Sequence, residues 1–465
     1  MTYFTAGEWL VLIQQELLLF AGVFFLIGMI DEMAIDLTWV WLKLTGRKKT
    51  RSIGQNVAGT TPLRGKAAIF IPAWQEAAVV GTTIAHMLSV WKQAQFSIYV
   101  GCYRNDPETM DAITRSAGGD ARLRLVLHDR AGPSTKADCL NRLFAALEED
   151  ETRQGFRARM IVLHDAEDMV DTAELALLDE AMDQAELIQL PVLPVPIAKS
   201  RWISGHYCEE FAEAHGKTMI VRDAVRAAMP LAGVGCAVER ETLARLAQSK
   251  RHKRPFSAEC LTEDYELGIG VAELGARVKF IRMRDADGRL VATRACFPAE
   301  LAQAVRQKTR WVHGIAFQSW DRLGWSARPT ELWMRLRDRR GPLTALVLAA
   351  AYLLLVLSTI GWVLGELGYG VSFELTTGLK IILILNVVSL VWRAAWRFAF
   401  TWREYGWREG IRAVLRMPVA NIIAIMAGRR ALGAYVRSLF GQLPSWDKTE
   451  HVAHPVLIRA QSGAA

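Results

Sequence analysis

The sequence predicts an α/β protein: a doubly wound, mostly parallel Rossmann-like sheet domain joined to α-helical membrane segments. Three observations carry this. Short apolar runs alternate with amphipathic helical stretches between residues 64 and 330, long and nearly uncharged runs follow residue 340, and Arg and Lys crowd the flanks of those runs. The chain has 465 residues, too many for one ordinary domain. Apolar residues make up 51% and charged ones 22%, the mixture of a water-facing domain with a few membrane segments. The formal charge is +8, and much of the excess lies beside apolar runs, where it orients a chain against anionic lipid. That distribution argues against nucleic acid as a partner. Six cysteines are scattered singly without CxxC spacing, so buried thiols are expected, not a disulfide frame or a zinc site.

Trp9 to Ile30 is the first apolar run, interrupted by Gln14, Gln15 and Glu16. No basic stretch precedes it, and Arg47, Lys48, Lys49 and Arg51 follow it, which predicts an uncleaved anchor and not a signal peptide. Leu343 to Gly365 offers 23 uncharged residues, enough for a hydrocarbon core of about 30 Å. Leu375 to Trp392 contains only Lys380, near its start, where a long side chain can snorkel. Residues 1–16 and the loop 366–377 lack Lys and Arg, whereas Arg335, Arg337, Arg339, Arg340, Arg393 and Arg397 border the other ends. The positive-inside rule therefore predicts an outside N-terminus, a cytoplasmic central region and a cytoplasmic tail. Val414 to Ala427 is apolar but short and carries Arg416 and Pro418. A helix lying in the interface is expected there, with a fourth crossing as the alternative. The expected organisation is an anchor and interfacial helix over 1–45 and a catalytic domain over 46–330. A membrane pair with an interfacial helix follows over 331–440, and a tail over 441–465.

Within the central region, strands are predicted at Ala67–Ile71, Phe96–Tyr103, Leu123–Leu127 and Met160–Leu163. Helices are predicted at Ala77–Lys92, Pro107–Ser116 and Lys136–Glu149. Ligands of such sheets bind beyond the carboxyl ends of the strands, so the polar residues there matter most. These are Pro72 to Glu76, Arg104 to Asp106, His128 to Asp138, and His164 to Asp168. Asp171 and Glu174 have capping-box spacing and are read as a cap. Asp165, Glu167 and Asp168 are too crowded for that; carboxylates this close repel unless a cation neutralises them, and a magnesium or manganese ion bridging a diphosphate would do so. Thr262, Glu263 and Asp264 precede a helix running to about Leu274, where Thr262 as a cap is the competing explanation. Gln307, Arg310 and Trp311 fall at i, i+3 and i+4 on a helix opened by Pro298 near its first turn. One face of it offers an amide, a phosphate-gripping guanidinium and an indole platform for a sugar ring.

In this order the residues resemble glycosyltransferase family 2, the inverting GT-A type that includes cellulose, chitin and hyaluronan synthases. The resemblance covers residues 64–322. Asp165-Ala166-Glu167 matches the metal-binding DxD position, Thr262-Glu263-Asp264 the TED motif with its catalytic base, and Gln307 to Trp311 the QxxRW mark of the processive branch. Lys136-Ala137-Asp138-Cys139-Leu140-Asn141 is similar to the KAGxLN segment beside the nucleotide. Two departures stand out: Glu167 replaces the usual Asp, so the second metal ligand is Glu167 or Asp168, and Gln75 replaces the Asn of PxxNE. His206 to Glu213, Gly233-Val234-Gly235 and Trp446 to His451 resemble the NfrB type, inner-membrane transferases linked with exopolysaccharide and phage adsorption. Arg393-Ala394-Ala395-Trp396-Arg397 spells RxxxR, a nucleotide-binding pattern elsewhere, but lacks its partner motif and is read as chance.

The resemblance implies a metal-dependent, inverting hexosyltransferase of the bacterial inner membrane. A UDP-sugar would place its uracil near Ala73, Glu76 and Asp106, with Lys136 and Asp138 alongside. Asp165 and Glu167 would hold Mg2+ or Mn2+. Asp264, beside Glu263, would be the base, and Gln307, Arg310 and Trp311 would serve leaving group and acceptor. A helix N-terminus favours the charged form of Asp264, so exclusion of water must oppose it if Asp264 is a base. The expected partners are a nucleotide-sugar donor, a polysaccharide acceptor, membrane lipid and an outer-membrane export partner. The alternatives are transfer of one sugar to a polyprenyl phosphate, which QxxRW argues against, and a non-catalytic scaffold for phage adsorption.

Overall fold

The computed structural model describes residues 5–53, 60–368, 375–441 and 454–461. Trp446 to His451 lie outside them. Helix α1 (Ala6–Leu44) starts at Thr5 with a reciprocal capping box to Glu8 and runs 39 residues, about 58 Å. The expected anchor and interfacial helix are thus one continuous helix. It continues because Asp31, Glu32 and Asp36, which end the apolar run, all find polar or cationic partners. Arg337 and Arg340 pair with Asp31 and Glu32, Arg393 reaches Glu32 at 3.0 Å, and the buried Lys217 pairs with Asp36 and, at 2.8 Å, with Glu213. Trp333 and Trp392 donate to Asp31 and Asp36 at 2.6 and 2.8 Å. Arg393 of the RxxxR pattern is therefore committed to this network.

Seven strands form the sheet: β1 (Lys66–Pro72), β2 (Phe96–Tyr103), β3 (Leu123–His128), β4 (Ala158–Leu163), β5 (Leu187–Gln189), β6 (Cys236–Glu239) and β7 (Val278–Phe280), in the order β3-β2-β1-β4-β6-β5-β7. All neighbours are parallel except around β6, which runs antiparallel to both β4 and β5. The four predicted strands appear with small changes at their ends. β5, β6 and β7 were not predicted, because runs of three or four residues carry no readable period. Crossovers α2 (Val80–Val90), α3 (Pro107–Ala117) and α4 (Lys136–Gln154) follow β1, β2 and β3. Ile69, Ile71, Ile98 and Val162 build the core on one face of the sheet; Phe70, Tyr99, Ile161 and Leu143 build it on the other. Five cysteines are buried and Cys296 is partly so.

Beyond the first half come α5 (Glu174–Ala181), α6 (Gly205–Glu213), α7 (Glu263–Glu273) and α8 (Leu301–Val312). Pro298 precedes α8 and its N-cap Glu300, outside the first turn where the sequence reading put it. Both α6 and α8 run on into a π-helical turn, Ala214–Thr218 and His313–Gln318. Such turns concentrate at functional sites.

The last long helices are α9 (Gly341–Glu366), α10 (Thr377–Tyr405) and α11 (Met417–Leu439). With α1 they make four helices, among the described residues, long and apolar enough to cross a membrane by length and composition. The apolar stretch expected to be short thus belongs to a helix of 23 residues. Both ends of α11 are nevertheless fastened to the sheet domain. Arg416, just before it, binds Glu209 at 2.7 Å and the Arg201 carbonyl at 2.8 Å, and Tyr435 near its end reaches Asp321 at 3.3 Å. Between those points it lies along α8 and the first turns of α9, with Ile423 packed beside Val305 and Gly428 against Ala345.

Candidate active site

One cleft opens beyond the carboxyl ends of β1 and β4 and is closed on the far side by α7 and α8. Ala73, Glu76, Lys136, Asp165, Glu167, Glu263, Asp264, Gln307, Arg310 and Trp311 all line it. Two expected members do not. Asp106 caps α3, accepting from Thr109 N at 3.4 Å, and also holds Gln75 N. Asp138 is bound by His128 Nε2 at 3.1 Å and by Arg130 Nη2 at 3.0 Å. Both carboxylates answer local donors, which burial makes costly to leave unpaired.

The acidic turn after β4 is held from behind. His164 is fully buried between Asp168 Oδ2 at 2.9 Å and Glu174 Oε1 at 2.7 Å. Burial alone would discharge it, but Glu174 and Asp168 outweigh that and raise its pKa to about 10. Asp168 Oδ2 also accepts from Asp165 N at 3.0 Å. This occupies one oxygen of Asp168 in support of the turn and leaves Glu167 as the better candidate beside Asp165 for holding a cation. Glu174, read from sequence as a cap alone, does accept from Asp171 N at 3.4 Å, yet its larger task is the ion pair with His164. A histidine at the last position before the acidic turn is the signal that could have found it.

Lys136, at the start of α4, carries the cleft's central positive charge. Its Nζ lies 2.5 Å from Asp165 Oδ1 and 3.5 Å from Glu263 Oε1. Burial works against its charge, but Asp165, Glu263 and Asp264 hold its pKa well above the usual lysine range. Asp264 is pushed up to about 7 by burial and by Glu263, with Lys136 pulling the other way. Burial and Glu263 together therefore outweigh Lys136 and the Tyr265 N–H that Asp264 accepts at 2.7 Å. Thr262 makes no side-chain cap. It packs instead on Gly314 in the π turn after α8, where an added Cβ would come within 2.4 Å of its Oγ1. Gly233, with φ +77°, lets the backbone pass Asp264, since a Cβ there would sit 2.9 Å from Oδ2.

Trp311 stands in an aromatic group that sequence reading did not assemble. Phe211 and Phe297 lie 6.4 Å from it, and Tyr207 lies edge-on at 6.1 Å. Lys308 Nζ sits 5.1 Å above both Tyr207 and Trp311 and pairs with Glu210. At the other end, Trp74 and Tyr103 cross at 5.1 Å, and Tyr103 stacks on His128. Phe211 fell within the singled-out segment 206–213, but only the fold brings it to Trp311.

For a cation the donor set fits. Glu76, Asp165, Glu167, Glu263 and Asp264 outnumber Lys136 and Arg310 along the lining. No group of three or more metal-ligating side chains occurs among the described residues. Two carboxylates completed by diphosphate oxygens and water is the pattern of magnesium-type sites.

A cleft that combines a carboxylate turn, a partly buried aspartate and an Arg-Trp helix at the strand ends of a GT-A sheet has the make-up of a glycosyltransferase site. Residues 65–314 match the family model described as "Glycosyltransferase like family 2", and the chain belongs to that family. It is also 31% identical to "Bacteriophage adsorption protein B" of Escherichia coli (strain K12) and equally to "Bacteriophage N4 adsorption protein B" of Escherichia coli O157:H7. The match takes in 96% of the chain and 63% of the length of either relative. Among solved structures it is similar to a mannosyltransferase from Pyrobaculum calidifontis in complex with GDP-Man and Mn2+. The TM-score there is 0.50 at 14% identity, over 87% of this chain and 99% of that one, a likeness of fold.

Proposed function

We propose that the protein is an inverting, processive glycosyltransferase of the bacterial inner membrane that extends an exopolysaccharide from a UDP-sugar on the cytoplasmic side. The observation that carries this reading is Asp264, whose raised pKa makes its carboxylate a stronger base near neutral pH, in one cleft with Asp165, Glu167, Arg310 and Trp311. The uracil would lie near Ala73 and Trp74, and Asp165 and Glu167 would hold Mg2+ or Mn2+, which when bound neutralises the diphosphate. Asp264 takes the proton of an acceptor hydroxyl. That oxygen bonds to the anomeric carbon from the face opposite the diphosphate, the carbon–oxygen bond to UDP breaks, and configuration inverts. Arg310 stabilises the charge on the leaving diphosphate. Trp311, with Phe211 and Phe297, presents apolar ring faces to the acceptor sugar, which favours a chain over a lipid phosphate.

In this reading α1, α9 and α10 cross the bilayer and α11 lies in its cytoplasmic interface. An outer-membrane partner exports the product, and the relatives are named for bacteriophage adsorption. Membranes containing the protein, given a panel of UDP- and GDP-sugars with Mn2+, are expected to release UDP from one donor. Turnover of GDP-sugars alone would overturn the donor assignment, and no turnover with any donor would overturn the enzyme. A phosphatase fused at Thr377 should be active in the periplasm and one at Gly341 should not; equal activity would refute the topology.

A further inference from the structure

The described residues resume at His454, which is completely buried although it lies near the end of the chain. It does not sit among apolar neighbours alone. Its Nδ1 accepts from Val456 N at 3.1 Å, which leaves the proton on Nε2, and Nε2 stands 3.0 Å from Thr83 Oγ1 on α2. Thr83, also fully buried, is 2.5 Å from the Ala166 carbonyl and 3.4 Å from the Val79 carbonyl, so its hydroxyl proton goes to Ala166. The hydrogen bonds then have one direction: His454 Nε2–H to Thr83 Oγ1, and Thr83 O–H to the carbonyl of the middle residue in Asp165-Ala166-Glu167. The Asp168 carbonyl shares the same ring N–H, so His454 also touches the turn directly.

We propose that His454 is a positioning residue of the carboxylate turn, acting through Thr83 to fix the Ala166 peptide and so the directions in which Asp165 and Glu167 project. A side chain between two residues whose shared peptide is pinned cannot swing with the backbone. The front of the turn faces the cleft, and the rear is fastened at two places: by His164 and Asp168 on one side and by the His454–Thr83 relay on the other. Burial, with His86 nearby, holds the His454 pKa down at about 4, so the imidazole keeps the neutral form that the relay requires. No charge reaches the cleft by this route; it supplies geometry only.

The test uses the full chain in detergent, with His454→Ala, Thr83→Val and Thr83→Ser. Hydrogen exchange of the peptide covering 163–170 is read without ligand, and UDP affinity is read by calorimetry with and without Mn2+. Losing one buried hydrogen bond corresponds to about a 3- to 10-fold change. His454→Ala and Thr83→Val should each speed exchange of the turn and weaken Mn2+-dependent UDP binding by about that factor. Thr83→Ser should match the parent, and the double variant should fall short of the sum of the two single effects, because both variants break the shared His454–Thr83 link. Faster exchange confined to the tail, with the turn and UDP affinity unchanged, would reduce His454 to an anchor of its own segment and overturn the proposal. The metal-binding measurement rests on the proposed function; the exchange measurement does not. A parent protein that binds no UDP would count against that function, while turn exchange unaltered in Thr83→Val would count against the relay.

Discussion

The carboxylate half of the cleft, from Ala73 to Glu167, is carried on the carboxyl ends of β1 and β4, in the middle of the sheet. The aromatic half, around Gln307, Arg310 and Trp311, is carried on α8, whose apolar side is covered by Tyr207 of α6 and Ile423 of α11. The first half depends on strand pairing and buried ion pairs, the second on helices packed against the long apolar α11. Asp264 stands where they meet, and Thr262 beside it leans on Gly314 just past α8. In the proposed mechanism donor chemistry is thereby separated in the fold from acceptor placement, and substitutions should divide the same way.

The largest effect is expected at the junction. Asp264→Asn keeps size and removes basicity, so transfer should fall by roughly 10² to 10⁴ while Mn2+-dependent UDP binding persists. A base works only when deprotonated, so with a pKa near 7 the parent enzyme should lose kcat/KM as pH falls below about 7. A folded Asp264→Asn protein with near-parental transfer would remove Asp264 from catalysis. Next comes the carboxylate half: Asp165→Asn removes a direct ligand and should weaken Mn2+-dependent UDP binding by at least the roughly 100-fold that outer-shell changes can reach at metal sites. UDP affinity that ignores this substitution would take Asp165 out of the cation site.

In the aromatic half, Trp311→Ala should lower transfer by about 3- to 10-fold, as expected for one lost ring contact. Hydrolysis of the donor should survive better, with shorter products. Normal-length polymer would deny Trp311 an acceptor role. The smallest effect is expected from Ile423→Ala, which touches α8 only from behind. It should reduce transfer by less than Trp311→Ala and leave UDP affinity unchanged; a loss of UDP affinity instead would show that the halves are not separable.

That division also governs how much could be read from the chain itself. β1 to β4 and the residues at their ends were legible, because long apolar runs between amphipathic helices leave little choice of architecture. Asp106 and Asp138 were misread, since a carboxylate at a strand end suits a ligand and a local cap equally, and only the positions of Thr109 N, His128 and Arg130 decide. The aromatic half was half legible: Gln307, Arg310 and Trp311 share a helix face, but Phe211 and Phe297 come from 100 and 14 residues away from Trp311 and meet it only through packing. His454 was invisible for the same reason, with nothing in its spacing pointing to Thr83.

The ionic network on α1 has a consequence for the order in which the molecule is made. Asp31, Glu32 and Asp36 leave the ribosome early, yet their cationic partners are Lys217, Arg337, Arg340 and Arg393. Until those residues are synthesised the acids have no counter-charge, and holding them unpaired at the end of an apolar helix is costly. In the proposed topology the first helix would therefore reach its final depth only when the domain has folded and the later helices have arrived. Insertion and folding would finish as one event, and a nascent chain released before residue 393 would lack the closing pair.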